Sequence, residues 1–92
     1  MSILVRFTTT SPTTTEQYDD SIQRLQQVAD FPPDGLEYHV CFIADGNIRV
    51  SEIWESREQL NAFAERLMPL LAEMGVEPGE PEIFEIHNAI RR

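Results

Sequence analysis

Residues 36–55 read LEYHVCFIADGNIRVSEIWE, two extended apolar-rich runs on either side of the pair Asp45-Gly46. Because an Asp-Gly pair tolerates the positive φ angles of a type I′ turn, this stretch predicts a β-hairpin. Alternation along its first strand would place two apolar-rich sets on opposite faces, Tyr38, Val40 and Phe42 against His39, Cys41 and Ile43. Neither face of that strand reads as a solvated one.

A helix is predicted on the N-terminal side of the hairpin. It begins near Thr14, where Thr14 with Gln17, or Thr13 with Glu16, has the spacing of a capping box. Its apolar positions recur at helical intervals and are Tyr18, Ile22, Leu25, Val28 and Ala29. Pro32 and Pro33 end it, because proline cannot continue the helical hydrogen bonds.

A second helix is predicted directly after the hairpin. Ser56 has the capping-box spacing from Gln59. Its apolar stripe consists of Leu60, Phe63, Ala64, Leu67, Leu71 and Met74. Pro69 is expected to kink or divide this helix, and Gly75 stands where a left-handed C-terminal residue is needed.

Two outer strands complete the pattern. Residues 2–8 alternate with period two and predict a first strand, a hydroxyl-rich loop containing Pro12 follows, and residues 82–87 predict a last strand. The order β-α-β-β-α-β over residues 1–92 predicts a single α+β, ferredoxin-like domain. Right-handed crossovers place both helices on one face of a four-stranded antiparallel sheet. We expect a second copy of the chain to cover the other face as a two-fold homodimer.

Charge and cysteine content narrow the partners of the chain. Its net charge of −9 repels phosphate backbones and anionic lipid, which argues against nucleic acid and membrane surfaces as partners. Cys41 is the only cysteine, so no internal disulfide can form. The N-terminal apolar stretch is interrupted by Arg6 and is too short for a signal sequence or a membrane span. We expect a cytoplasmic protein.

Few residues are candidates for chemistry. His39 and His87 are the candidate catalytic residues, because imidazole ordinarily titrates near neutral pH. The candidate substrate-binding residues are Trp54, Asn88, Tyr38 and Phe7. The alternatives are structural: a strand Trp commonly packs in the core, and a strand His commonly bonds a backbone carbonyl.

Other kinds of site find little support in the sequence. The two histidines with Glu52 or Glu55 contain the ligand types of a two-His-one-carboxylate iron site, but no recognised metal spacing is present, so no metal is predicted. Apolar neighbours should raise the pKa of Cys41, which disfavours it as a nucleophile. The glycine-rich nucleotide motifs and the serine-hydrolase elbow are absent from the sequence.

Four segments carry a resemblance to a known family: YHV (38–40), ADGN (44–47), IWESREQLNAF (53–63) and IHN (86–88). They resemble the antibiotic biosynthesis monooxygenase-like group of dimeric α+β-barrel proteins. The resemblance implies a cleft between sheet and helices, lined at the Trp54 position. It also implies oxygenation of aromatic polyketide quinols without metal or flavin, or haem degradation.

The sequence departs from the haem-degrading pattern that this resemblance includes. That pattern has an Asn on the first strand and a His on the second helix. Here residues 2–8 contain no Asn, and residues 57–74 contain no His. The expected function is therefore a cofactor-free oxygenation of a small aromatic ligand. The alternatives are a non-catalytic small-molecule-binding or structural dimer, and isomerase or decarboxylase chemistry on the same fold.

Overall fold

The computed structural model describes residues 2–8, 13–28 and 31–92. The helices and strands are β1 (Ile3–Thr8), α1 (Thr15–Val28), β2 (Leu36–Ala44), β3 (Asn47–Trp54), α2 (Arg57–Glu73) and β4 (Glu82–Glu85). The strands form one antiparallel sheet in the order β2-β3-β1-β4. The predicted ferredoxin-like α+β fold is thereby confirmed. The loop predicted around Pro12 and the helical position predicted at Ala29 lie outside the described residues.

The β2–β3 hairpin closes through the predicted turn. Asp45 and Gly46 have φ angles of 54° and 76°, as a type I′ turn requires. The two-residue turn fixes the register, in which His39 lies directly opposite Glu52. A bulge next to Leu36 shifts the pairing there and lets Leu36 pack against the core, on the same side of the sheet as His39.

Both helices begin at the capping boxes predicted from the sequence. The backbone N–H of Gln17 donates to Thr14 Oγ1 at 3.1 Å, and the backbone N–H of Thr14 donates back to Gln17 Oε1 at 2.9 Å. At the start of α2, the backbone N–H of Gln59 donates to Ser56 Oγ at 3.2 Å. These bonds satisfy backbone donors that the first turn of a helix leaves without partners.

The C-terminal half of α2 is one continuous helix. Pro69 lies inside α2 without dividing it. Leu67 and Leu71 flank the proline and pack inward, so tertiary contacts hold both sides of the position where the helical hydrogen bond is lost. Gly75 has a φ of 72°, the predicted left-handed conformation just after the helix.

The core lies between the sheet and the two helices. Its buried cluster consists of Val5, Leu25, Trp54, Leu60 and Phe63. The rings of Trp54 and Phe63 are 5.7 Å apart, and no part of Trp54 is exposed.

The apolar face predicted for α1 ends earlier than expected, because Val28, at the last position of the helix, is 72% exposed. Within the described ranges, no helix combines the length and apolar character needed to cross a membrane.

The helix-free face of the sheet carries one continuous apolar row. Tyr38, Ile53, Leu4 and Phe84 lie opposite one another across the four strands. Tyr38 is 56% exposed and Phe84 is 46% exposed. The next row across the sheet contains Val40 followed by three polar residues, Ser51, Arg6 and Glu82. The lack of a polar face predicted for β2 therefore extends across the sheet in one row only.

Candidate functional site

A cavity of about 190 Å³ lies between the sheet and the two helices. Its walls are mainly apolar and include Phe7, Leu25, Phe31, Phe63, Leu67 and Ile83. The polar side chains on its lining are Thr13, Gln17, Tyr18, Ser21, His39, Glu52 and Asn61. Among the described residues that line it there is no Arg and no Lys. A largely apolar space with a few convergent polar groups is the usual form of a small-molecule site.

Glu52 is a buried carboxylate with a partner on each oxygen. It is only 6% exposed. Its Oε2 lies 2.6 Å from His39 Nδ1, and its Oε1 accepts a hydrogen bond of 2.9 Å from Trp54 Nε1–H. Burying a carboxylate is costly unless both oxygens are satisfied, and here they are. Glu52 therefore links a core residue, Trp54, to a residue on the cavity wall, His39.

These contacts fix the proton on the His39 ring. An ionised Glu52 only accepts hydrogen bonds, so His39 Nδ1 must carry the hydrogen that it donates. In the neutral ring Nε2 is then an acceptor, and Tyr18 Oη lies 2.6 Å from it. The hydroxyl of Tyr18 therefore donates to Nε2. The three side chains form one directed series, which we call the Tyr18–His39–Glu52 series.

Tyr18 stays a neutral hydrogen-bond donor over a wide pH range. Burial raises its pKa to about 12, and the acidic groups of Cys41, Glu52 and Asp19 add to that effect. At neutral pH its hydroxyl thus keeps its proton. A neutral phenol beside an imidazole nitrogen provides a donor and an acceptor side by side.

Two aromatic rings hold the imidazole in place. The ring of Tyr18 lies nearly parallel to that of His39, with centroids 6.0 Å apart, and Phe31 meets His39 edge-on at 6.1 Å. Phe31 also packs against Phe63 of the core. The orientation of His39 is therefore set by packing as well as by hydrogen bonds.

Cys41 lies on the same face of β2 as His39, two residues along the strand. It pairs with Val50 and is half-buried. Burial raises the pKa of its thiol, and the negative charge of Asp19 acts in the same direction. The thiolate, which is the nucleophilic form, is accordingly disfavoured.

The structure separates the residues that the sequence proposed for the site. His39 and Phe7 line the cavity. Trp54 lies behind the cavity wall, in the core, where it bonds to Glu52 and packs against Phe63. Tyr38 lies on the helix-free face, as part of the apolar row. Their roles in binding or catalysis stay predictions.

His87 and Asn88 are not brought to the cavity. Strand β4 ends at Glu85, and both residues are exposed in the segment that follows it. Beyond Glu85, the backbone N–H of Ile86 donates to the carbonyl of Ser2 at 3.3 Å. Within the described ranges, no three His, Cys, Asp or Glu side chains are arranged to hold a metal ion.

Tyr18 and Glu52 are members of the site that the sequence did not single out for chemistry. Tyr18 was predicted only as an apolar position of the first helix, and Glu52 only as one carboxylate of an unsupported iron site. A signal for Glu52 was present, however. His39 stands six residues before the Asp45-Gly46 turn and Glu52 six residues after it, so a two-residue turn pairs them.

The comparisons with known proteins agree on the fold. No protein-family model and no curated protein matches the chain. A protein from Deinococcus radiodurans assigned as an antibiotic biosynthesis monooxygenase matches with 16% identity and a TM-score of 0.59, over 100% of this chain and 98% of that one. SnoaB, a cofactor-independent oxygenase from Streptomyces nogalater, matches with 15% identity and a TM-score of 0.61, over 99% and 96%.

A third solved structure extends this agreement. A protein from Chloroflexus aurantiacus, also assigned as an antibiotic biosynthesis monooxygenase, matches with 16% identity and a TM-score of 0.58, over 98% of this chain and 95% of that one. At such identities the likeness establishes the fold alone. The resemblance predicted from the sequence is confirmed at that level.

Proposed function

We propose that the chain is a cofactor-independent, monooxygenase-like enzyme acting on a small aromatic compound with an ionisable hydroxyl group. The observation that carries this proposal is the Tyr18–His39–Glu52 series on the wall of an otherwise apolar cavity. A base held by a buried carboxylate is the arrangement that general base catalysis needs. The shared fold with SnoaB, a cofactor-independent oxygenase, supports the same reaction class.

In the proposed reaction the protein moves protons and the substrate supplies the electrons. His39 Nε2 takes the proton of the aromatic hydroxyl, and Glu52 stabilises the imidazolium that forms. The electron-rich substrate anion reduces molecular oxygen. One oxygen atom becomes a carbonyl on a ring carbon that previously carried hydrogen, and the other leaves as water. A hydroxyarene thereby becomes a quinone, and all four electrons come from the substrate.

The cavity limits the size and charge of the ligand. A cavity of about 150 Å³ is enough to take up benzene, so one of about 190 Å³ holds one or two fused rings. A third ring would protrude from the mouth of the cavity. Without Arg or Lys among the described lining residues, and with the buried carboxylate of Glu52 present, carboxylated and phosphorylated ligands are disfavoured.

Oxygen uptake tests the proposal directly. 1,5-Dihydroxynaphthalene, whose conversion to a quinone requires insertion of one oxygen atom, is supplied with air and no added metal or flavin, and quinone formation is followed beside oxygen consumption. We expect faster conversion with wild type than without protein, loss of that acceleration in His39→Ala, and retention of it in His87→Ala. Dithranol, with three rings, should be converted more slowly than the two-ring compound. The proposal is contradicted if wild-type protein does not accelerate conversion. It is also contradicted if a folded His39→Ala variant converts the substrate as fast as wild type.

We also propose that the working form is a homodimer in which a second copy covers the helix-free face. The apolar row Tyr38, Ile53, Leu4 and Phe84 supports this, since it is continuous across all four strands and two of its members are about half exposed. The same surface favours the alternative function, a non-catalytic small-molecule-binding or structural dimer. That alternative becomes the leading account if binding to the cavity occurs without turnover.

A further inference from the structure

We propose that the cavity also catalyses keto–enol proton exchange, at the carbon next to the carbonyl group of a small aryl ketone. This activity shares His39 with the proposed oxygenation but needs no oxygen, so either can fail without the other. The residues assigned to it are Tyr18 as hydrogen-bond donor to the carbonyl oxygen and His39 as the base.

The spacing of the two groups fits such a substrate. Tyr18 Oη and His39 Nε2 lie 2.6 Å apart, and both residues line the cavity. In an enolisable ketone, the carbonyl oxygen and the hydrogen to be removed are carried by neighbouring carbon atoms. One ketone can therefore present its oxygen to Tyr18 and its C–H bond to His39 at the same time. A donor and a base aimed at adjacent atoms are the two groups that enolisation requires.

Tyr18 can serve as donor to a bound ketone after a small movement of its side chain. In the free protein its O–H is directed at His39 Nε2. A shift of the Tyr18 side chain that moves Oη out of line with Nε2, together with rotation of the hydroxyl hydrogen about the C–O bond, directs that hydrogen to a bound carbonyl oxygen and opens the Nε2 lone pair to the C–H bond. Because the pKa of Tyr18 is raised to about 12, the phenol remains a donor as negative charge develops on the substrate oxygen.

His39 has the support that a base in an apolar site requires. Its Nδ1 is held by Glu52, whose carboxylate stabilises the imidazolium. Glu52 is in turn held by Trp54 Nε1–H. The apolar walls around the series leave room for an aryl group beside the reacting atoms.

The step is balanced without an oxidant. The proton leaves the carbon for His39 Nε2, the C–H electron pair becomes the C=C bond, and the carbonyl π pair moves onto the oxygen that Tyr18 contacts. Return of a proton from His39 to the carbon reverses the step. In heavy water the imidazolium exchanges its proton with solvent, so the carbon acquires deuterium while its oxidation state stays the same.

Proton exchange under argon tests the inference. The probe is β-tetralone, which has two fused rings and an acidic CH2 group between ring and carbonyl. Loss of the CH2 signal in buffered heavy water is followed by proton NMR. We expect wild type to accelerate the loss about a hundredfold or more over buffer. Tyr18→Phe and His39→Gln should each lose most of that acceleration, and Glu73→Gln, exposed at the end of α2, should retain it.

The outcomes separate this inference from the proposed oxygenase. Exchange of β-tetralone under argon, with no oxygen uptake from the dihydroxynaphthalene in air, supports the inference and overturns the oxygenase. Oxygen uptake from the dihydroxynaphthalene without proton exchange of β-tetralone supports the oxygenase and overturns the inference. Wild-type protein that leaves saturating β-tetralone at the buffer rate overturns the inference. Folded Tyr18→Phe and His39→Gln variants that both exchange at the wild-type rate overturn it as well, because the reaction then lies elsewhere.

Discussion

His39 Nδ1 lies 2.6 Å from Glu52 Oε2, across the hairpin and directly opposite it in the strand register. A buried carboxylate in that position places the ring proton on Nδ1 and leaves Nε2 as the lone-pair nitrogen on the side of Tyr18. The direction of the Nε2 lone pair of His39 thus depends on the Asp45-Gly46 turn, which sets the register.

Replacing Glu52 by Gln should remove activity while keeping the fold. The amide of Gln can still accept from Trp54 Nε1–H, but its NH2 group donates to His39 Nδ1 and forces the proton onto Nε2. Nε2 then cannot act as the base, so kcat should fall about a hundredfold or more. Turnover and the urea midpoint are measured together. Glu73→Gln is the matched control, and a folded Glu52→Gln variant with unchanged kcat contradicts the assignment.

Trp54→Ala should destabilise the protein strongly, because the side chain is fully buried against Phe63 and holds Glu52. The loss of packing for a buried aromatic costs about 3–5 kcal/mol of unfolding free energy. Urea denaturation followed by circular dichroism measures it. Ile90→Ala, at a residue 89% exposed, should stay close to wild type. A Trp54→Ala variant as stable as wild type would show that the indole does not support the core.

Tyr18 should lose its phenolic proton at a higher pH than an ordinary tyrosine. In the Tyr38→Phe variant Tyr18 is the only tyrosine, and its phenolate absorbance should appear around pH 12, against the usual value of 10. The folded-state pKa is above the usual one, so the stability contributed by the neutral phenol is complete below pH 10 and is lost as pH rises from 10 through 12. The same variant in denaturant should titrate at the usual value. A midpoint near 10 in the folded protein refutes the burial argument.

A negative charge introduced into the apolar row should dissociate the proposed dimer into monomers. Phe84→Glu places a carboxylate on the helix-free face, where a second copy would have to bury it. Light scattering should give twice 10.6 kDa for wild type and 10.6 kDa for the variant. Ile90→Glu, which adds the same charge on an exposed tail residue, should remain dimeric. Wild type at 10.6 kDa at micromolar concentration rules out the dimer.

The hairpin and helix starts were predictable because their causes are local. The Asp45-Gly46 turn, the capping pairs and Gly75 act within a few residues, and each has the predicted geometry. The same turn also determines that His39 faces Glu52. That pairing was available from the sequence by counting outward from the turn.

The rest of the site depends on contacts between distant segments. Whether Tyr18 meets His39 depends on how α1 lies across the sheet, which no local pattern specifies. The position of His87 depends on strand length. Because β1 begins at Ile3, which pairs with Glu85, strand β4 ends there, and the bond from Ile86 N–H to the Ser2 carbonyl follows it. His87 consequently lies outside the sheet and away from the cavity.

The central claim, that His39 is an oriented base in the ligand cavity, is tested most directly by nitrogen-15 NMR of the imidazole side chains. Long-range proton–nitrogen correlations identify which ring nitrogen carries the hydrogen in each histidine. At a pH where His39 is neutral, we predict a protonated Nδ1 and an unprotonated Nε2, reversed in Glu52→Gln, with the Nε2 signal shifting when β-tetralone binds. A wild-type His39 protonated on Nε2, and unaffected by the ligand, would contradict the account.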